Sequence, residues 1–203
     1  HFIGIFENRN LKHEKMTIEE VVDRLKEGNV RFVEDRLENA SANQSRRDSL
    51  LAGQAPYAIV LGCADSRVVP EHAFDTGLGE IFTVRVAGNV ANTDSIASIE
   101  YAVANLGSKA IVVLGHQSCG AVTAAIAGGD NGYNLNHLLA HISPAIKEAG
   151  AGAEVNFVVK KNAELTAKDL CYRSSIIRNA VESGSVKILP AYYNLNDGKV
   201  DFL

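Results

Sequence analysis

Two stretches of sequence with the same layout determine the fold: Leu61–Arg67, LGCADSR, and Leu114–Gly120, LGHQSCG. Each stretch follows a short apolar run rich in β-branched residues, Tyr57–Val60 in the first case and Ala110–Val113 in the second. Runs of this kind are typical of strands buried in a parallel sheet. Because the carboxyl ends of parallel strands meet at one edge of an open α/β sheet, we expect the Cys and His residues that follow both runs to lie close together.

The residues after the two runs are soft metal ligands. They are Cys63 after the first run, and His116 and Cys119 after the second. Two thiolates and one imidazole match the donor set of a catalytic zinc site, in which three protein ligands leave a fourth position open. The softness of sulfur favours zinc over magnesium or calcium. The spacing therefore predicts one Zn²⁺ per chain, with water or Asp65 in the fourth position.

The sequence leaves other interpretations of these residues open. Cys63 and Cys119 are alternatively a disulfide or two buried apolar side chains. His72 is the nearest further donor along the chain, and Cys171 is a more remote one. Cys171 lies in a predicted helix without a neighbouring His or Cys, which favours core packing for that side chain.

Asp65 and Arg67 lie two residues apart at the end of the first predicted strand. An ion pair between them would keep Asp65 ionised and orient its carboxylate as a hydrogen-bond acceptor beside the metal. The alternative is a purely structural salt bridge, since such pairs also perturb pKa values away from active sites.

Predicted strands and helices alternate along the rest of the chain. Thr17–Glu20 forms a capping box for a helix that continues to about Leu37. The other predicted helices cover Gln44–Ala52, a segment from a Ser95 cap to Gly107, Gly120–Ala127, Leu135–Ala149 with an interruption at Pro144, and Lys160–Ser183. The predicted strands are Tyr57–Leu61, Ile81–Val86, Ala110–Leu114, Val186–Tyr193 and Val200–Leu203.

This order of elements predicts an α/β fold. The expected sheet has four mostly parallel strands and an antiparallel C-terminal edge strand, which follows a hairpin signal in Asn194–Lys199. Helices flank the sheet. The N-terminal helices precede the first strand, so we expect them to be outlying, packed outside the sheet or against a neighbouring subunit.

Length and composition narrow the possible functions. The 203 residues suit one domain, residues 1–203, and we expect residues 1–16 to be a flexible arm or a remnant of cloning. A net charge of −4 disfavours nucleic acid as a partner. The apolar runs are too short to cross a bilayer, which takes about 20 residues. Three cysteines without framework spacing argue against a disulfide scaffold and weakly favour a cytoplasmic location, although a signal or transit peptide removed earlier is also compatible.

The combination of C-x-D-S-R at Cys63–Arg67 with G-H-x-x-C-G at Gly115–Gly120 resembles the β-class carbonic anhydrases. The likeness runs from about Val21 to the C-terminus and includes Pro70-Glu71, the segment VRVAGN at 84–89, and Ser98–Val103. The resemblance implies reversible hydration of carbon dioxide to bicarbonate and a proton, with zinc hydroxide as the nucleophile. It implies zinc on Cys63, His116 and Cys119, and a catalytic dyad of Asp65 and Arg67.

That family has two subtypes, and the chain resembles the open, plant-like one. The other subtype closes by moving the Asp onto zinc and has a bicarbonate pocket that uses a Trp, whereas this chain has no Trp. Gln54 lies nine residues before Cys63, where the open subtype has a substrate-binding Gln. The further substrate-binding residues that the resemblance implies are Phe82, Ala87 and Tyr101 in the apolar pocket. The Gly120 amide at a helix start is a further donor for an anionic product.

The resemblance also implies a partner and leaves alternatives open. The family places its site at a dimer interface, with the Gln, Phe and Tyr supplied across it, so we expect a homodimer or a dimer-based tetramer. Relatives use the same zinc site to hydrolyse carbon disulfide or carbonyl sulfide. A non-catalytic zinc or redox module with Cys63 and Cys119 as its switch is a further alternative. His72 is a candidate proton shuttle.

Overall fold

The computed structural model describes residues 16–39 and 42–203, so the arm expected over residues 1–16 lies, apart from Met16, outside the described residues. A five-stranded sheet organises this part of the chain in the order β2-β1-β3-β4-β5. Its first four strands are parallel neighbours, and β5 is antiparallel to β4, as predicted. The strands are β1 (Ala58–Gly62), β2 (Ile81–Arg85), β3 (Ala110–His116), β4 (Lys187–Tyr193) and β5 (Val200–Phe202).

Helices precede, connect and cover these strands. They are α1 (Ile18–Val33), α2 (Gln44–Asp48), α3 (Pro70–Ala73), α4 (Thr93–Asn105), α5 (Gly120–Ala127), α6 (Tyr133–Ala140), α7 (Ser143–Ala149), α8 (Val155–Arg173) and α9 (Ser175–Glu182). A short 3-10 turn, Ala87–Asn89, follows β2. Within the described residues, no helix combines the length and the apolar character that a membrane span requires.

The sheet has a buried core on each face because its central strands are apolar on both sides. On one face, Val60 and Val112 pack with Val21 and Leu25 of α1, so this helix lies outside the sheet, as expected. On the other face, the side chains of β1 and β3 pack against α4, α8 and α9, with Ile99, Leu170 and Ile177 as the largest helical contributors. Every residue of β1 and β3 is buried, which explains their uninterrupted apolar runs.

The predicted capping box of α1 is present, but the helix is shorter than expected. The hydroxyl of Thr17 accepts a hydrogen bond from the amide of Glu20, and the Glu20 carboxylate accepts one from the amide of Thr17. The helix ends at Val33 instead of about Leu37. Asp35 then adopts a left-handed conformation with φ 54°, and the carboxylate of Asp75 binds the amides of the following loop.

Of the other predicted helix boundaries, the interruption at Pro144 is confirmed, whereas the cap of α4 and the length of the last long helix differ. The cap of α4 is Asn92, whose side chain accepts from the amide of Ser95, so Ser95 lies inside the helix. Pro144 separates α6 from α7, as predicted, because Pro fits the first turn of a new helix. The segment predicted as one long helix is instead α8 and α9, divided at Ser174, whose hydroxyl caps α9 and donates to Glu100 of α4.

Candidate metal centre

The structure brings the three predicted ligands together at the carboxyl edge of the sheet. Cys63 directly follows β1, His116 is the last residue of β3, and Cys119 is the N-cap of α5. Gly62 pairs with Leu114 in the register of β1 and β3, so both strands end at the same level. The ligand atoms of the three residues all lie within 4.8 Å of one another, and all three residues are buried.

His116 presents one ring nitrogen to the cluster without a protein partner. Its Nδ1 lies 2.9 Å from the backbone carbonyl of Gln117, so Nδ1 carries the proton and donates it to that oxygen. The lone pair is then on Nε2, which is buried and has no hydrogen-bond partner in the described part of the chain. A buried polar atom without a partner destabilises a fold, whereas a metal-ligating His commonly donates its other ring N–H in this way. The imidazole therefore fits a metal.

The two sulfurs also fit a soft divalent cation. Their Sγ atoms are 4.0 Å apart, and both cysteines are free thiols, which excludes the disulfide interpretation for this structure. Contact with the Cys119 sulfur lowers the pKa of Cys63, and the amide of Gly88 donates to the Cys63 sulfur at 3.3 Å. The same contact, together with burial, raises the pKa of Cys119. A metal ion deprotonates a coordinating thiol outright, so a cation at this position would bind the sulfurs of both cysteines as thiolates.

The described residues supply three ligands to this cluster and no fourth one. It is the only group of His, Cys, Asp and Glu side chains in the described residues that meets the geometry of a metal site. His72 is exposed on α3, and Cys171 is half-buried in the last turn of α8, so neither alternative ligand joins it. The nearest further donor is Asp65, whose Oδ2 lies 3.8 Å from Nε2 of His116.

Asp65 is bound to Arg67 at the mouth of the cluster. The guanidinium donates to both carboxylate oxygens, from Nε to Oδ1 at 2.9 Å and from Nη2 to Oδ2 at 2.7 Å. The backbone amide of Arg67 donates to Oδ1 as well. The side-chain hydrogen bonds from Arg67 hold the pKa of Asp65 far below its usual range, against the opposing effect of burial. The carboxylate is therefore a fixed, ionised acceptor beside the proposed ligands.

Arg85 holds the loop that carries Cys63 and Asp65, and sequence reasoning assigned it no role beyond its place in the segment VRVAGN at 84–89. It is the last residue of β2 and pairs with Gly62 in the sheet register. Its Nε donates to the carbonyl of Cys63, and its Nη2 donates to the carbonyls of Asp65 and Val68. A forked cation at the carboxyl end of the neighbouring parallel strand is the signal that could have identified it.

The second ligand loop is held by α8. Ser118 has φ 54°, and its amide donates to the side-chain oxygen of Asn156 at 2.9 Å. Gly115 lets this helix approach β3, because a Cβ at that position would lie 2.9 Å from Cγ1 of Val159. These contacts fix the loop between His116 and Cys119 from outside the sheet.

The structure separates the predicted substrate residues into two groups. Ala87 lies in the turn beside Gly88, and Gly120 directly follows the ligand Cys119. Phe82 pairs with Ile59, three residues before the strand ends, which places it roughly 10 Å along the sheet from the cluster. Gln54 precedes β1 at the opposite edge of the sheet and is exposed, and Tyr101 of α4 is 53% exposed.

Comparison with known proteins identifies similar chains over most of this length. The family model described as carbonic anhydrase matches residues 58–200. The chain is 41% identical over 182 residues to carbonic anhydrase 2 of Mycobacterium tuberculosis, covering 86% of this chain and 87% of that protein. It is 40% identical over 184 residues to a carbonic anhydrase of Mycolicibacterium smegmatis, covering 87% of this chain and 89% of that one.

Solved structures with a similar fold are also carbonic anhydrases. The β-carbonic anhydrase of Coccomyxa, in complex with acetazolamide, superposes with a TM-score of 0.72 and 27% identity, covering 87% of this chain and 83% of that chain. A tetrameric β-carbonic anhydrase of Sordaria macrospora superposes with the same TM-score of 0.72 and 27% identity, covering 79% of this chain and 87% of that chain.

Proposed function

Because this chain belongs to the β-class carbonic anhydrases, we propose that it catalyses the reversible hydration of carbon dioxide at one zinc ion per chain, held by Cys63, His116 and Cys119. The observation that carries the proposal is the convergence of these three ligand atoms within 4.8 Å, with a buried imidazole nitrogen that has no protein partner. Two sulfurs and one nitrogen are the donors expected for catalytic zinc with an open position.

A zinc ion at this cluster would act as a Lewis acid that activates water for attack on carbon dioxide. The protein orients this reaction through Asp65. Its carboxylate is ionised and held on both oxygens by Arg67, so it can only accept a hydrogen bond from the attacking water. An incoming group without a proton faces a fixed negative charge instead. The Asp65–Arg67 pair is therefore proposed as a selective acceptor and not merely as a salt bridge.

Access for a small apolar substrate fits the surroundings of the cluster. Cys63 and Cys119 are part of an apolar cluster that also contains Val90, Val122 and Ile142. Ala87 contributes a small side chain beside it, and Gly120 is an exposed residue whose amide is a candidate donor to an anionic product. We propose that carbon dioxide enters over these residues and that bicarbonate leaves past the Gly120 amide.

Oligomerisation would complete the pocket. Gln54, Phe82 and Tyr101 lie away from the cluster of their own chain, and Tyr101 leaves half of a large aromatic side chain exposed. We propose that these three residues reach the site of a partner subunit in a homodimer or a dimer-based tetramer. The similarity to a tetrameric β-carbonic anhydrase of Sordaria macrospora supports this assembly.

The open subtype is the form proposed for this site. Arg67 donates to both oxygens of Asp65, so the carboxylate is engaged by the guanidinium and would have to leave it to bind a metal. The absence of Trp from the chain also supports this choice. In this form a zinc ion held by Cys63, His116 and Cys119 would be left one position for water.

Stopped-flow carbon dioxide hydration combined with metal analysis tests the proposal. The wild type is expected to carry about one zinc per chain and to be active. Cys63→Ala should lose both together, because a thiolate ligand is removed. Cys171→Ala is the matched control, since this Cys lies on α8 outside the cluster, and it should keep both.

The other outcomes of that experiment separate the alternatives. Full zinc content in Cys63→Ala would contradict the ligand assignment. Zinc-loaded wild type that hydrolyses carbon disulfide or carbonyl sulfide but does not hydrate carbon dioxide would identify the hydrolase alternative. Zinc without turnover on any of these substrates would indicate a non-catalytic module.

A further inference from the structure

Gly88 lies between the metal cluster and α8, and it is hydrogen-bonded in both directions. Its amide donates to Sγ of Cys63 at 3.3 Å, and its carbonyl accepts from Nδ2 of Asn162 at 2.9 Å. Both bonds are buried. A residue of α8 is thus connected through one glycine to a proposed metal ligand.

The conformation of Gly88 depends on its neighbours, because glycine itself favours no single backbone geometry. It has φ 69° and ψ 15°, within the left-handed region. A Cβ at this position would lie 2.9 Å from Cδ1 of Ile142, so a side chain here would also displace that residue. The bond from Asn162 is the polar contact that fixes the carbonyl side of this flexible residue.

Asn162 is itself an unusual residue for its position. It is 2% exposed and lies on α8, the helix that packs against β3. Its side-chain N–H donates a hydrogen bond to the carbonyl of Gly88. A buried amide is tolerated when it is hydrogen-bonded, and a hydrogen bond from a backbone amide to a thiolate stabilises the charged sulfur. Mutation of a residue that holds a metal ligand in place through hydrogen bonds commonly lowers the metal affinity by about 10- to 100-fold.

We propose that Asn162 is a positioning residue of the metal centre. By holding the Gly88 carbonyl, it keeps the Gly88 amide directed at the Cys63 sulfur and so strengthens zinc binding. The inference rests on the proposed function, since it concerns the same zinc site. Asn162 contacts neither zinc nor substrate in this account, and it acts only through Gly88.

The test compares Asn162→Leu with Thr166→Val. Leu has the same number of side-chain heavy atoms as Asn, branched at the same carbon, but no donor. Thr166 lies one turn further along α8, where it is buried and lines the same groove of about 680 Å³. Asn162 also lines this groove, which leaves space beside the larger Leu side chain, and we expect the protein to fold. Zinc affinity, measured by competition with a chelator, should fall about 10-fold in Asn162→Leu and less than about twofold in Thr166→Val.

A second measurement reports the hydrogen bond itself. In protein loaded with ¹¹³Cd in place of zinc, the Gly88 amide proton should show scalar coupling to the metal across the N–H···S bond. The coupling should be lost in Asn162→Leu and in the isosteric Asn162→Asp, and it should persist in Thr166→Val. Its absence from the wild type would overturn the inference without any variant.

The outcomes keep the two proposals apart. Wild-type protein that binds no zinc would refute the proposed function. Wild-type protein that binds zinc, with unchanged affinity and coupling in the Asn162 variants, would refute the positioning role alone. A lower unfolding midpoint of the metal-free variant with unchanged zinc affinity would show that Asn162 only stabilises the fold.

Discussion

Asp75 connects α1 to the segment that follows α3, and its replacement by Asn should destabilise the fold. Asp75 is 3% exposed, and its carboxylate accepts from Nε of Arg31 at 2.5 Å and from the amides of Glu38 and Asn39 at 3.0–3.1 Å. Asp75→Asn preserves the shape but leaves Arg31, whose side chain is 18% exposed, facing a neutral amide. Breaking a buried pair of this kind costs about 3 kcal/mol, which for a chain of this size lowers Tm by about 6–12 °C.

The same carboxylate gives the destabilisation a definite pH dependence. Burial acts to raise the pKa of Asp75, but the hydrogen bonds from Arg31 and the two amides outweigh it, so the pKa is lowered. Because the folded-state pKa lies below the unfolded value of about 3.9, the stabilisation is complete above about pH 5. It is lost as pH falls through the folded-state pKa. The difference between wild type and Asp75→Asn should therefore be constant from pH 7 to about 5 and narrow below about 4.

Urea unfolding of the metal-loaded proteins, monitored by circular dichroism at one fixed protein concentration, measures both effects. Asp130→Asn is the matched control, because the Asp130 carboxylate also accepts one side-chain and one backbone hydrogen bond, from Asn136 and Gly132, but is exposed. Its stability should change much less. Equal stability of Asp75→Asn and wild type at pH 7, or a difference that does not narrow in acid, would refute the reasoning.

Three further variants test the site and its support. Asp65→Asn should keep its zinc but lose about 100-fold in hydration turnover, because the fixed acceptor is gone; an unchanged rate in stopped flow would leave the pair a structural salt bridge. Arg85→Lys cannot reproduce the fork that holds three loop carbonyls, so zinc affinity in a chelator competition should weaken about 10-fold, and equal affinity would contradict this role. Asn29→Ala removes a buried side chain bonded to two backbone carbonyls and one backbone amide, and should cost about 2–4 kcal/mol in urea unfolding; a loss below about 1 kcal/mol would contradict it.

The strands and the ligand positions were predictable because their signals are local. A strand buried on both faces must be apolar throughout, and β1 and β3 are. Residues that follow such strands lie at a common edge, so the polar residues after each run predicted where Cys63 and His116 would meet. The antiparallel edge strand was equally local, since its turn contains Asn-Asp-Gly.

The helix boundaries that were wrong depend on distant contacts. The break at Ser174 uses a hydrogen bond to Glu100, which lies 74 residues earlier in the chain. The early end of α1 accompanies the binding of the following loop by Asp75, which nothing in the local sequence of that helix indicates. Helix periodicity continued across both points, so single-segment patterns could not locate them.

Sequence patterns also did not identify the residues that hold the ligand loops in place. Arg85 and Asn162 both donate to backbone carbonyls, and the sequence does not show which carbonyl a side chain will reach; only the position of Arg85 at a strand end offered a signal. Gln54, Phe82 and Tyr101 came from the resemblance alone, and their roles stay predictions that depend on a second subunit.

X-ray absorption at the zinc edge of the purified, active protein tests the central claim most directly. The account predicts two sulfur neighbours at about 2.3 Å and two lighter neighbours at about 2.0–2.1 Å, one imidazole nitrogen and one exchangeable oxygen. A Cys63→Ala sample should lose the metal or one sulfur. Zinc enclosed by four protein ligands, or by fewer than two sulfurs in the wild type, would contradict the account.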